Sequence, residues 1–291
     1  MNAPVVGIIE YGLGSGLGLA RAARQLAGIA CRSVSTDEAP NADVAGLILE
    51  GPLAGRGDLL ARLAPLWGVP ILVESPVAES AEQAGSIAEL TGDSVVACNP
   101  LCYGLHTRRL IEELRTAEDP LETLFAAWRF RPDSATPESL PQLLGYLSEL
   151  CSADVMRVSA MVRATPRVLT VSMRFATGAL GSLELGAHLP RAFPAPSELV
   201  MECFCRSRVF HCTPGEQAIT VYGPTHTHLD WQPTAGETIV RAFAAWLGGA
   251  PRPAGGALQD AAALRLAERI EHSARTGSVL EIVRSHAGRD V

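Results

Sequence analysis

The chain of 291 residues carries 31 acidic against 24 basic side chains, a net charge of −7, and is 47% hydrophobic but only 19% charged. Such a chain buries a sizeable core with room for two domains, which excludes disorder, and its acidity removes the electrostatic case for a nucleic-acid partner. It shows no basic-then-apolar leader and no apolar run of membrane-spanning length, so the cytoplasm is the expected compartment with no membrane partner. The seven cysteines, an odd number without a leader, read as reduced packing residues.

The spacing predicts a short buried strand over Val5–Ile9 and a helix over Leu17–Leu26. Between them stand Glu10-Tyr11 and then glycines at 12, 14, 16 and 18. Small residues between a strand and a helix N-terminus let amides approach a pyrophosphate, which makes Gly12, Gly14, Ser15 and Gly16 candidate cofactor-binding residues. The alternating glycines give a G-x-G but no clean G-x-G-x-x-G, and the same loop serves equally as a tight turn. Glu10 is an anion where an anion is to bind. It must turn away or pair with a cation, and Arg21 and Arg24 are the nearby choices.

A second strand, Ala30–Ser35, leads to Asp37, an acid suited to a ribose diol or simply to a turn. Val44–Leu49 is a third strand ending in Glu50-Gly51-Pro52, with a helix over Asp58–Leu66. Pro70–Val73 is a fourth, ending in Glu74-Ser75-Pro76, with a helix over Ser80–Leu90, and Val95–Cys98 is the last. This alternation predicts a parallel sheet covered on both faces, with a ligand crevice beyond the strand ends. Gly12, Gly51 and Glu74 fall there, with Pro52 and Ser75 beside them as further cofactor-site candidates.

Asn99–Tyr103 leaves the final strand, and a helix is predicted over Thr107–Leu114. The catalytic candidates are Asn99, Tyr103, His106 and Arg109. His106 or Tyr103 could give a proton to a carbonyl or imine, and Arg109 could hold an anionic substrate; His106 and Arg109 could equally cap or decorate a helix. Leu121–Phe130 opens the second domain as a strand. It is followed by a turn region over Pro132–Pro137, a helix over Leu140–Leu150, and strands over Val155–Val162, Val168–Phe175, Ala179–Leu185, Met201–Cys205, Val209–Cys212 and Ala218–Tyr222. Cys203, Cys205, His211 and Cys212 could present thiolates to zinc from one strand face but have no C-x-x-C spacing and read equally as half-buried strand residues, and His226 and His228 share a strand-like face that a solvated or hydrogen-bonded edge explains, so no metal is expected. Helices over Thr238–Leu247 and Leu258–Thr276 close the chain around the Pro/Gly-rich segment Gly248–Gly256.

The expected fold is α/β: a Rossmann-like parallel sheet over residues 1–118, then an α+β domain over 119–291 with a largely antiparallel sheet, its C-terminal helices packing back on the first domain. An antiparallel sheet covered on one side leaves a face for a second copy, so a homodimer through that open face is expected. Val171, Met173 and Phe175 alternate on one side of a strand, with Ser172 and Arg174 on the other.

Over nearly its whole length the chain resembles the glucose-fructose oxidoreductase/inositol dehydrogenase/MocA-like family. Val6-Gly7-Ile8-Ile9-Glu10-Tyr11-Gly12 resembles the family's strand and first glycine turn, with Glu10 replacing a glycine. Ile48-Leu49-Glu50-Gly51-Pro52 resembles its segment ending in Thr-Pro, and Val73-Glu74-Ser75-Pro76-Val77-Ala78 its Glu-Lys-Pro segment. Leu266–Ile282, with Ser273-Ala274-Arg275-Thr276-Gly277, resembles its closing helix and Ser-x-x-Thr-Gly ending. Asn99, Tyr103, His106 and Arg109 resemble its Asn…Arg…Pro substrate segment. The resemblance implies an NAD or NADP oxidoreductase acting on a small polar carbonyl, imine or alcohol. Three departures bear on that implication: Ser75 stands where the family has its lysine, and Gln142 and Ser139 where it has an Asp and a His. Together with Glu10 they raise the alternative of a noncatalytic binding or assembly protein on the same scaffold.

Overall fold

The computed structural model describes residues 4–12, 18–116, 119–132, 134, 136, 138–165, 167–213, 218–223, 227–229 and 234–282. It divides into two compact units, Met1–Arg108 with Pro137–Tyr146 and Trp231–Leu266, and Arg109–Thr136 with Leu147–Asp230 and Ala267–Val291.

The first unit is built on strands β1 (Val5–Glu10), β2 (Ala30–Ser33), β3 (Val44–Glu50), β4 (Ile71–Glu74) and β5 (Val95–Cys98). They lie in the order β2-β1-β3-β4-β5 with every neighbouring pair parallel. Near-continuous apolar strands such as Val44-Ala-Gly-Leu-Ile-Leu require cover on both faces, and they have it. One face packs on α2 (Arg56–Trp67), α3 (Ala81–Thr91) and the start of α8 (Ala257–Thr276), through Leu60, Leu63, Ala84, Ile87 and Ala261. The other packs on α1 (Leu19–Gln25) and α7 (Ala235–Leu247), through Ala20, Ala23, Ile239 and Phe243. Local signals set the helix starts. The Ser80 hydroxyl accepts from the Gln83 amide at 3.2 Å, and Thr234 and Glu237 form a reciprocal capping box,.

The second unit holds β6 (Leu121–Phe130), β7 (Val155–Arg163), β8 (Val168–Phe175), β9 (Leu180–Gly186), β10 (Ser197–Cys205), β11 (Val209–Thr213), β12 (Ala218–Tyr222), β13 (Thr227–Leu229) and β14 (Leu280–Glu281). Their order is β13-β12-β11-β10-β6-β9-β8-β7-β14, antiparallel throughout except for the parallel β6–β9 pair. Strict alternation puts Val171, Met173 and Phe175 on the buried side, with Met201, Cys203 and Phe210, and leaves Ser172 and Arg174 exposed. The Ser273 hydroxyl donates to the Ser278 carbonyl at 2.5 Å and accepts from the Ala160 amide at 3.0 Å. That fastens the end of α8 to β7, and Gly277 turns the chain out of the helix with φ of +68°,. The remaining helices are α4 (Pro100–Tyr103), α5 (Leu105–Thr116) and α6 (Ser139–Cys151); the unit boundaries fall inside α5, α6 and α8. Among the described residues no helix is long and apolar enough to cross a membrane.

Candidate functional site

In a sheet of this order the ligand crevice forms where the strand direction of travel reverses, between the C-terminal ends of β1 and β3. Tyr11 dominates that point. Its amide donates to the Glu50 carbonyl at 3.0 Å and its hydroxyl to the Pro52 carbonyl at 2.5 Å. A Cβ on Gly51 would lie 2.4 Å from the Tyr11 carbonyl oxygen and 2.5 Å from its ring, so position 51 is small to admit Tyr11. Gly12 has φ of +66° and faces the Pro52 ring, where a Cβ would stand at 3.0 Å. Both torsion and space favour glycine there.

The half-buried Glu50 carboxylate accepts from the amides of Gly18 at 2.9 Å and Ala20 at 2.7 Å. The amides opening α1 therefore gather around an anion, and it is one the chain supplies. Glu10 turns toward Arg24, with one contact at 3.5 Å and a closer one between Arg24 Nη2 and Glu10 Oε2. Arg24 is thus the cation that the Glu10 position calls for. Gly14, Ser15 and Gly16 lie outside the described residues. Asp37 accepts from Arg62 at 3.1 Å on an exposed surface, beyond the end of β2.

The ends of β4 and β5 carry a closed polar network. The Ser75 hydroxyl donates to Asp260 Oδ1 at 2.5 Å and the Val77 amide to Asp260 Oδ2 at 2.8 Å. Asp260 is fully buried, and burial pushes its carboxyl up to about 6, against the opposing pull of those hydrogen bonds and of Arg56,. Arg56, also buried, donates to the carbonyls of Gly51 at 2.8 Å, Glu74 at 2.9 Å and Pro76 at 2.7 Å. The Gln142 side-chain amide donates to the Ser75 carbonyl at 2.7 Å and to the Glu74 carboxylate at 3.4 Å. Asn99 donates from Nδ2 to the Gln142 carbonyl at 2.7 Å, while its Oδ1 caps α4 by accepting from the Leu101 amide at 3.1 Å. Tyr103 is buried and its hydroxyl donates to the Ala254 carbonyl; desolvation holds its proton more firmly than usual.

The fold therefore brings Asn99, Glu74, Ser75 and Gln142 into one network, with Gly51 tied in through Arg56. Arg109 is half-exposed and pairs with Glu113 one turn on, at 2.5 Å. His106 lies in α5, with its side chain outside the described residues. Cys203, Cys205 and Cys212 are buried, whereas His211 faces Glu202 on the other side of the sheet. No metal-holding group of His, Cys, Asp or Glu occurs among the described residues. His226 lies outside the described residues, as does the side chain of His228.

Sequence reasoning overlooked Glu50 as an amide acceptor, and overlooked Arg56 and Asp260 altogether. Asp260 had a signal: it falls on the apolar stripe of α8 with Ala257, Ala261 and Leu264, where a charge needs a partner,. A further fact of the sequence bears on the chemistry. All 24 basic residues are arginine and the chain contains no lysine, so no lysine amine is available to any site in it.

No protein-family model matches the chain and no curated protein matches it in sequence. Solved structures do. An oxidoreductase from Agrobacterium radiobacter, in complex with NAD+, L-tartaric acid and magnesium, aligns with a TM-score of 0.74 at 13% identity over 96% of this chain and 98% of its own. The UDP-N-acetylglucosamine 3-dehydrogenase GnnA from Acidithiobacillus ferrooxidans aligns at 0.75 with 17% identity over 92% and 97%. A super-repressor mutant of Gal80p from Saccharomyces cerevisiae aligns at 0.76 with 14% identity over 95% and 97%. The fold is that of the glucose-fructose oxidoreductase/inositol dehydrogenase/MocA-type oxidoreductases.

Proposed function

We propose that the protein is an atypical NAD(P)-linked oxidoreductase acting on a small polar carbonyl, imine or alcohol. The observation that carries this reading is the β1/β3 switch point, where Gly12 closes the strand end and the Gly18 and Ala20 amides converge on an anion. The Glu50 carboxylate there stands in for a phosphate, so the donor set suits a dinucleotide once Glu50 has moved aside. The fold shared with an enzyme solved with NAD+ supports the same cofactor class. A bound nicotinamide would supply the hydride acceptor or donor. This chain's own residues would orient the substrate and move the proton. The Ser75 and Tyr103 hydroxyls already donate inside the protein, which leaves His106 as the proposed proton carrier and Glu74, Gln142 and Asn99 as the polar wall.

A second reading, a noncatalytic binding or assembly protein, is favoured by the same carboxylate. Glu50 already satisfies the amides, and a pyrophosphate arriving beside it meets like charge,. Calorimetry with NADH and NADPH on the folded wild type and on Glu50→Ala separates the two. Binding by the wild type, tightened about tenfold or more in Glu50→Ala by loss of the competing anion, supports the oxidoreductase. No binding by either protein supports the assembly reading and removes the dinucleotide.

A further inference from the structure

We propose that the concavity at the β7–β8 rim of the nine-stranded sheet binds a small oxyanion, a phosphate or carboxylate group seated between Arg157 and Arg174. The inference is independent of which function above holds, because every residue in it belongs to the second unit and none to the parallel sheet.

A register step builds the site. Val155 pairs with Phe175 but Arg157 pairs with Arg174, so Met156 is an extra residue on β7, a β-bulge,. Val155, Val158 and Ala160 are all buried. Without the extra residue, strict alternation would put Arg157 on the inward face with Val155; with it, Arg157 turns outward and stands beside Arg174. Backbone hydrogen bonds fix the surroundings. The Ala176 amide donates to the Asp154 carbonyl at 2.9 Å, the Gly178 amide to the Phe175 carbonyl at 2.9 Å and the Ile282 amide to the Met156 carbonyl at 2.8 Å. The bulge, the Ala176–Gly178 turn and Glu281 of β14 thereby enclose, with the two arginines, a cavity of about 260 Å³ whose wall includes Met156 and Phe175.

The charge in this cavity is unbalanced. Arg157 and Arg174 are direct cross-strand neighbours, and like charges so placed repel,. Glu281 pairs with Arg157 at 3.4 Å, but both side chains are more than half exposed, so that pair is weak and free to rearrange,. Arg174 has no ion-pair partner among the described residues. Two guanidiniums against one carboxylate leave a positive charge uncancelled, in a chain whose net charge is −7. An oxyanion cancels it, because the guanidinium fork matches the paired oxygens of a carboxylate or a phosphate. Size narrows the ligand. A water takes up about 30 Å³ of liquid, so the cavity has room for roughly eight, and it falls below the ~300–1,000 Å³ of drug-sized pockets. That admits inorganic phosphate or succinate and excludes a whole dinucleotide.

An NMR titration of the full chain tests this, with inorganic phosphate in one arm, succinate in another and chloride as the blank, all at one ionic strength. The signals read are the Gly178 amide and the Met156 methyl, which an anion held elsewhere, at the Gly18 and Ala20 amides, would leave unmoved. Saturable shifts with at least one of the two oxyanions and none with chloride are expected, and whichever binds more tightly names the head group. Arg174→Gln should weaken binding at least tenfold. Glu281→Gln should tighten it severalfold by releasing Arg157. Arg163→Gln removes the same charge from an exposed position at the far end of β7, outside the cavity, and should change binding less than about twofold,. Circular dichroism confirms that each variant is folded. No saturable shift with either oxyanion would overturn the proposal, as would Arg174→Gln binding like the wild type, Glu281→Gln binding more weakly than the wild type, or Arg163→Gln losing as much affinity as Arg174→Gln.

Discussion

The two ends of the parallel sheet use the same chemistry at different depths. At the β1/β3 end, Glu10, Arg24 and Glu50 lie at or near the surface, the first two about half-exposed. At the β4/β5 end, Arg56 and Asp260 are buried and every bond they make is internal. Water screens the first set, so its charges can be rearranged by a ligand at little cost. The second set has no such alternative, because a partner removed there leaves a desolvated group unpaired. The accessible end is therefore suited to binding, and the buried end fixes the geometry of the strand termini.

The largest effect should come from breaking the buried end. Arg56→Met keeps much of the side-chain volume but leaves the carbonyls of Gly51, Glu74 and Pro76 without their donor and Asp260 without its nearby positive charge. Removing one member of such a set typically costs about 3–5 kcal/mol, and urea unfolding should register a loss of that order. A loss below about 1 kcal/mol, the scale of exposed pairs, would erase the contrast between the two ends.

A smaller and more specific effect concerns pH. The Asp260 carboxyl is raised to about 6 in the folded chain from its ordinary 3.8. The folded state thus binds this proton more tightly than the unfolded state does. The resulting contribution to stability is full below the unfolded value, declines as pH rises through about 6, and is flat above that,. Asp260→Asn retains an acceptor for the Val77 amide and removes the titration. The stability difference between variant and wild type should change by on the order of 2 kcal/mol between pH 4 and pH 7, in the direction that favours the wild type at the acidic end. Parallel stability curves would show that Asp260 keeps its ordinary proton affinity.

How much of this was legible follows from what each feature depends on. Strands in both sheets could be read because continuous apolar runs and turn residues are local signals: Val95–Cys98 in the parallel sheet and Leu121–Phe130 in the nine-stranded one have the bounds their composition predicts. β10 runs from Ser197, four residues before the predicted Met201, because its early residues are held by pairing with β6, a partner distant in sequence. In the site, the small residues at 12 and 51 were visible, but the reason for Gly51 was not, since it is the Tyr11 side chain 40 positions earlier in the chain. The Ser75–Asp260 bond joins residues 185 apart. No window along the sequence contains both, and only an apolar stripe interrupted by an acid marks one of them.

The smallest effect should lie at the surface pair. Glu10→Gln leaves Arg24 solvated and removes a carboxylate from the switch point, and both side chains of the pair are already about half in water. Exposed pairs are worth roughly 0–1 kcal/mol, so unfolding should barely change. Its influence should appear in binding instead. If a dinucleotide enters beside Gly12, removing the Glu10 charge should modestly tighten NADH binding at low salt, and the gain should fade as salt screens the site. An equal gain at low and high salt would mean that Glu10 acts through shape, and no gain at either would place the bound anion away from the end of β1. Glu50, which touches the amides directly, should show the larger and less salt-sensitive change of the two, because a carboxylate competing for the same donors is displaced whatever the ionic strength.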